Sequence, residues 1–147
     1  MASPVPRILR QARWIWPDSC TWDLHNVYTQ FRKSFELPAV PRRAPLYITA
    51  DQSYHLYLNG RFVCRGPARG YQSHWPYDEI DVRPFLRKGR NVIAVRAHNP
   101  GFSNFQYISQ GYAGFLMGAQ WGKFKLVSDD TWLNRRETGT SKDTVPT

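Results

Sequence analysis

Residues 54–81 read YHLYLNGRFVCRGPARGYQSHWPYDEID. Tyr54, Leu56 and Leu58 alternate with His55 and Tyr57, the pattern of a strand buried on one face. The alternation breaks at Asn59-Gly60, the dipeptide that best tolerates the positive φ angles of a type I′ hairpin turn. Arg61, Phe62, Val63 and Cys64 resume an extended pattern, so the stretch opens as a β-hairpin. Gly66-Pro67-Ala68-Arg69-Gly70 and Ser73-His74-Trp75-Pro76 then form a long loop of rings, one histidine and one arginine. A second extended run begins at Tyr77. The unit is a tight hairpin that feeds an aromatic, polar loop.

The flanking sequence repeats the same grammar. After a flexible lead-in over residues 1–12, Arg13 to Pro17 is predicted as a short edge strand, ended by a proline that cannot donate to a ladder. Val27, Thr29, Phe31, Lys33 and Phe35 alternate with Tyr28, Gln30, Arg32 and Ser34. The charge of Lys33 within the first set predicts a bulge or an exposed end. Leu46–Ala50 is β-branched and aromatic, as a central strand is. Glu79 to Val82 ends a strand, Pro84-Phe85-Leu86 makes a helical turn at most, and residues 87–90 reverse the chain. Asn91–Ala97 holds the continuous apolar run Val92 to Val95 of a buried strand. A second long loop covers residues 98–111. Strands follow at Tyr112–Ala119, Phe124–Val127 and Thr131–Arg136. Residues 137–147 are polar, a tail or a linker to a further domain. Short strands, many turns and no convincing helix predict an all-β chain. The expected fold is a jelly-roll β-sandwich over residues 13–136.

Composition agrees. The 147 residues suffice for one domain, and the 11 prolines and 10 glycines are spread as strand punctuation. No stretch approaches the ~20 apolar residues of a membrane span. The N-terminus lacks the apolar core of a secretory signal, so a cytoplasmic protein is the default unless a leader has been removed. Cys20 and Cys64 have no metal-ligand spacing and fit buried free thiols better than a bridge. The net charge of +9 raises a polyanion such as nucleic acid as a partner. The basic residues are scattered, however, with Arg83, Arg87, Lys88 and Arg90 the densest group, so nucleic acid is the weaker expectation.

Catalysis finds little support. Glycoside hydrolysis needs two carboxyl groups flanking one bond. Asp78 and Glu79, like Asp129 and Asp130, are neighbours that a strand would point to opposite faces. Glu79 and Asp81 would share a face, but side by side on one strand end. They are better read as acids that bind turn amides or pair with Arg83. The four histidines show no metal or base spacing, and no glycine-rich phosphate loop precedes a helix. No cofactor is expected; structural calcium, common in sugar-binding sandwiches, stays open as an alternative that no clear acidic motif supports.

Binding is better supported. Sugars are held by rings against their apolar faces, with amides, carboxylates and guanidinium groups on the hydroxyls. The two long loops supply both kinds of group. The first offers Arg69, His74, Trp75, Tyr77 and Asp78; the second offers Asn99, Asn104 and Gln106, with Phe102 and Phe105. A jelly roll could bring both loops to one rim. Trp75 and Tyr77 lean towards packing, Arg69 and His74 towards contact.

The order of motifs also resembles a known family. It runs NVYTQFRKSF (26–35), PLYITADQSYHLYLNGRFV (45–63), RGPARGYQSHWPYDEIDVRPFLRKGRNVIAV (65–95), GYAGFLMGAQ (111–120) and DDTW (129–132). This resembles the N-terminal β-sandwich of bacterial α-L-rhamnosidases, glycoside hydrolase family 78, a galactose-binding-like jelly roll. The likeness covers roughly residues 13–139. More loosely it is similar to the sugar-binding domains of β-galactosidases and β-glucuronidases, which share the LNG turn and a D-V-x-x-x-L-x-x-G-x-N-x-I-x-V layout. Here that layout reads Asp81-Val82, Leu86, Gly89, Asn91, Ile93 and Val95. The segment Gly66 to Asp78 favours the rhamnosidase group. The resemblance implies a non-catalytic accessory domain that braces a separate catalytic barrel and contacts a rhamnose-containing glycan. An autonomous carbohydrate-binding module and a polyanion-binding β protein are the rivals.

Overall fold

The computed structural model describes residues 5–16, 27–51, 53–67, 76–99 and 114–137. These residues form a jelly-roll β-sandwich. In chain order the strands are β1 (Val27–Leu37), β2 (Pro45–Asp51), β3 (Ser53–Leu58), β4 (Arg61–Gly66), β5 (Asp78–Asp81), β6 (Gly89–Asn99), β7 (Gly114–Trp121), β8 (Phe124–Val127) and β9 (Leu133–Arg136). A five-stranded sheet has the order β4-β3-β6-β1-β9 and a four-stranded sheet the order β5-β2-β7-β8. Every pairing is antiparallel.

The inner faces are the alternating apolar sets. Phe31 and Phe35 of β1, Leu56 and Leu58 of β3, and Ile93, Val95 and Ala97 of β6 meet Leu46 and Ile48 of β2 and Phe115 and Met117 of β7. Each such large side chain contributes about 1.5–3 kcal/mol on removal from water. The Phe31 and Phe115 rings lie 5.0 Å apart and join the two sheets at the centre of the core.

The hairpin forms as expected. Asn59 (φ 51°) and Gly60 (φ 78°) both take the positive φ that a type I′ turn demands. Tyr54, Leu56 and Leu58 are buried, and a bulge lies in β4 opposite Leu56 and Tyr57. Pro84 does lie in one short helical turn, Arg83–Phe85.

Several expectations need correction. Arg13 to Pro17 was expected as a strand, but among the described residues only Ile15 bridges, to Phe115. The Arg13 N–H instead donates to the Ser128 carbonyl at 2.8 Å, which turns the ladder aside. Within the expected lead-in, Ile8 and Leu9 are buried, and a short 3₁₀ turn spans Leu9–Gln11. Lys33 marks no bulge: β1 pairs with β6 in unbroken register from Val27 to Leu37. The Lys33 ammonium reaches past the end of β9 to donate to the Thr131 hydroxyl. β6 is central, but its apolar run is buried on one face only, with Val92 and Ala94 half-buried on the other.

Candidate functional site

Register brings the origins of the two long loops to one end of the sandwich. Tyr54 of β3 pairs with Gly66, the last residue of β4, and with Ala97 near the end of β6. Asp51 pairs with Gly114, where the second loop returns. Tyr77, Asp78 and Asn99 all sit at this end. Arg69, His74, Trp75, Asn104 and Gln106 lie outside the described residues.

The three described candidates are in different surroundings. The half-buried Tyr77 ring meets Tyr47 edge-on at 6.0 Å. Asn99 is fully buried, and its amide donates to the Asp51 carbonyl at 3.2 Å. Asp78, half-buried, accepts a short hydrogen bond from the Tyr54 hydroxyl and so ties the four-stranded sheet to the five-stranded one. Burial, reinforced by that bond, pushes the Tyr54 phenol well above its ordinary value and keeps it a proton donor. Gly66 leaves room for this bond: a Cβ would overlap the Asp78 carboxylate, which would have to shift, and would stand 3.0 Å from the Tyr54 hydroxyl. Nearby Cys64 is a free thiol whose pKa burial raises, which favours the protonated form; Cys20 lies outside the described residues.

A second feature, on the outer face of the five-stranded sheet, was not anticipated. A groove of about 470 Å³ is lined by Gln30, Arg32, Tyr57, Ala94, Arg96 and Glu137 among others. Arg96 Nε and Nη2 bond both oxygens of Glu137 at 2.6 and 2.9 Å, and Gln30 adds a third bond at 3.1 Å. The Arg96 guanidinium also lies 4.2 Å from the Tyr28 ring centroid. Its bonds to Glu137 raise the Arg96 pKa and lower that of Glu137, so both stay charged. Tyr28 stacks on His98 at 4.1 Å. Burial, with Arg96 adding repulsion, pushes His98 down to about 4, so it stacks as the neutral ring. Further across, Phe62 stands edge-on to both His55 and Tyr57.

The groove offers the Tyr57 ring, the Arg32 guanidinium and the Gln30 amide on one concave surface, which suits polar ligands with apolar faces. The signal for it was present in the outward set Tyr28, Gln30 and Arg32 and in Arg96. What joins them is the pairing of β1 with β6 and of β6 with β3, which no local pattern states.

The acids of β5 make local hydrogen bonds. Asp81 accepts from the backbone N–H groups of Ala44 and Arg83, each at 3.1 Å, and those bonds hold its carboxyl below the ordinary range. Glu79 meets the Tyr47 hydroxyl at 3.4 Å. Asp129 caps the turn at Thr131, and the Trp132 indole closes it onto the Val127 carbonyl at 2.8 Å. Among the described residues no group of three or more His, Cys, Asp or Glu could hold a metal ion. None of their helices is long and apolar enough to cross a membrane.

Two antiparallel sheets in this order place the chain among the galactose-binding-like jelly rolls, and within that class its relatives are α-L-rhamnosidases. The α-L-rhamnosidase of Streptomyces avermitilis is 29% identical over 131 residues, 84% of this chain and 12% of that enzyme. The crystal structure of a GH78 rhamnosidase of Bacillus sp. GL1 superposes with a TM-score of 0.77 at 36% identity, over 85% of this chain and 13% of that one. The lectin of Pleurotus ostreatus in complex with GalNAc is 25% identical, with a TM-score of 0.62 over 88% of this chain and 36% of that one. No family model matches the chain. The chain thus matches a small part of much larger rhamnosidases, a part that leaves most of each enzyme outside the likeness.

Proposed function

We propose that the chain is a non-catalytic accessory domain of an α-L-rhamnosidase-like glycoside hydrolase, which braces the catalytic barrel and contributes to contact with a rhamnose-containing glycan. One observation carries the reading: the likeness to the Bacillus enzyme spans 85% of this chain but only 13% of that one. The loop end, with Tyr77 and Asp78 at its base, and the groove beside Tyr57 are the surfaces suited to the glycan. Two measurements test the two halves. The reading frame beyond the Thr147 codon should continue into several hundred helix-rich residues; a stop within a few codons removes the bracing role. Calorimetric titration with rhamnosides should give at least millimolar binding, and silence would remove the substrate-contact role.

The likeness to the GalNAc-bound lectin supports a second reading, an autonomous carbohydrate-binding module. It requires the same titration to succeed with the chain alone, and a reading frame that ends.

A further inference from the structure

Across the outer face of the five-stranded sheet, register lines up Arg135, Gln30, Arg96, His55 and Arg65 in one cross-strand row. The adjacent row is Leu133, Arg32, Ala94, Tyr57 and Phe62. In the first row the arginines fall on every second strand, about 10 Å apart. That spacing avoids the direct opposition of like charges that destabilises a sheet, yet it gathers positive charge on one side. This face carries Arg32, Arg65, Arg90, Arg96 and Arg135; of its acids, Glu137 pairs with Arg96, and Glu36 lies towards the far end, opposite Arg90. A solvent-facing surface with no partner ordinarily intersperses both signs.

The same face exposes apolar groups. Phe62 and Leu133 are 53% and 64% exposed, and they stand at its two edge strands. The groove between them already holds one carboxylate, that of Glu137, in a bidentate grip from Arg96. Guanidinium forks match carboxylates in this way. Exposed Arg32 lines the groove, and Arg65 and Arg135 stand exposed on the two edge strands of the same face.

We propose that this face binds an acidic oligosaccharide, one whose sugar rings carry carboxylates. A ring seats against Tyr57 and Phe62, and carboxylates meet Arg32, Arg65 and Arg135. A nucleic-acid duplex is the poorer fit: it asks for a continuous basic strip along the backbone, whereas Gln30 and His55 interrupt this row and its central arginine, Arg96, is already paired with Glu137. The inference rests on the carbohydrate reading above, but it uses this face and not the loop end.

The full chain is titrated calorimetrically with short oligogalacturonates, their neutral methyl esters, neutral rhamnosides and duplex DNA. Oligogalacturonate binds, and its affinity falls as salt rises. Arg65→Gln/Arg135→Gln weakens it roughly tenfold or more. Lys88→Gln/Lys123→Gln, which removes the same charge elsewhere, changes it less than about threefold. Equal affinity for the methyl ester overturns the proposal, as does no binding of the acid. Tighter binding of DNA, with both double variants equally impaired, replaces it with general polyanion attraction. Rhamnoside binding without oligogalacturonate binding sinks this inference and leaves the substrate-contact reading intact; failure of both sugars ends both.

Discussion

The side-chain amide of Asn59 donates to Asn91 Oδ1 at 2.9 Å, joining the hairpin turn to the start of β6. Asn59 Nδ2 also reaches the Phe85 carbonyl at 2.9 Å, and its Oδ1 accepts from the Val92 N–H at 3.0 Å. Asn91, fully buried, bonds the Arg87 and Gly89 carbonyls at 2.7 and 3.1 Å and accepts from the Arg87 N–H at 3.0 Å. The L-N-G and G-x-N elements of the sequence are therefore two halves of one hydrogen-bond network.

That network predicts a graded loss. Asn59→Gly keeps the positive φ but removes the side-chain bonds, and should cost about 2 kcal/mol. Asn59→Ala adds the left-handed backbone penalty, about 1–2 kcal/mol more. Urea denaturation reads both; an unchanged midpoint for the glycine variant would show that the network contributes nothing.

At the loop end, Tyr54→Phe removes the donor to Asp78 and should destabilise by about 1–3 kcal/mol, since a part-buried carboxylate loses its partner. Gly66→Ala drives a methyl into the same carboxylate and should cost at least as much. Thermal melts of the two variants and their combination check the coupling: a shared target makes the double loss smaller than the sum.

His98 makes stability depend on acid. Its folded pKa, about 4, lies below the ordinary 6.5, so the unfolded chain binds the proton more readily. The contribution is present above pH 6.5 and is lost as the pH falls from there towards about 4. His98→Gln should flatten the stability profile across that window. A variant whose profile keeps the wild-type slope would assign the acid sensitivity to other groups.

Thr29 offers a gain. Its hydroxyl is fully buried with no hydrogen-bond partner among the described residues. Thr29→Val, nearly isosteric, removes an unpaired polar group and should stabilise by about 1–2 kcal/mol. A lower melting temperature would mean that the hydroxyl has a partner.

Sequence alone determined the hairpin, the inward-facing sets of β1 and β3, and the jelly-roll class, because alternation and turn chemistry act over neighbouring residues. The order of motifs was enough to point to the rhamnosidases. It did not reveal that Ile8 and Leu9 are buried, or that Lys33 reaches Thr131, since each depends on a partner about a hundred residues away. The Arg96–Glu137 pair and the arginine row were equally hidden. Strand register alone decides which outward side chains become neighbours, and it is set when two sheets close over a shared core.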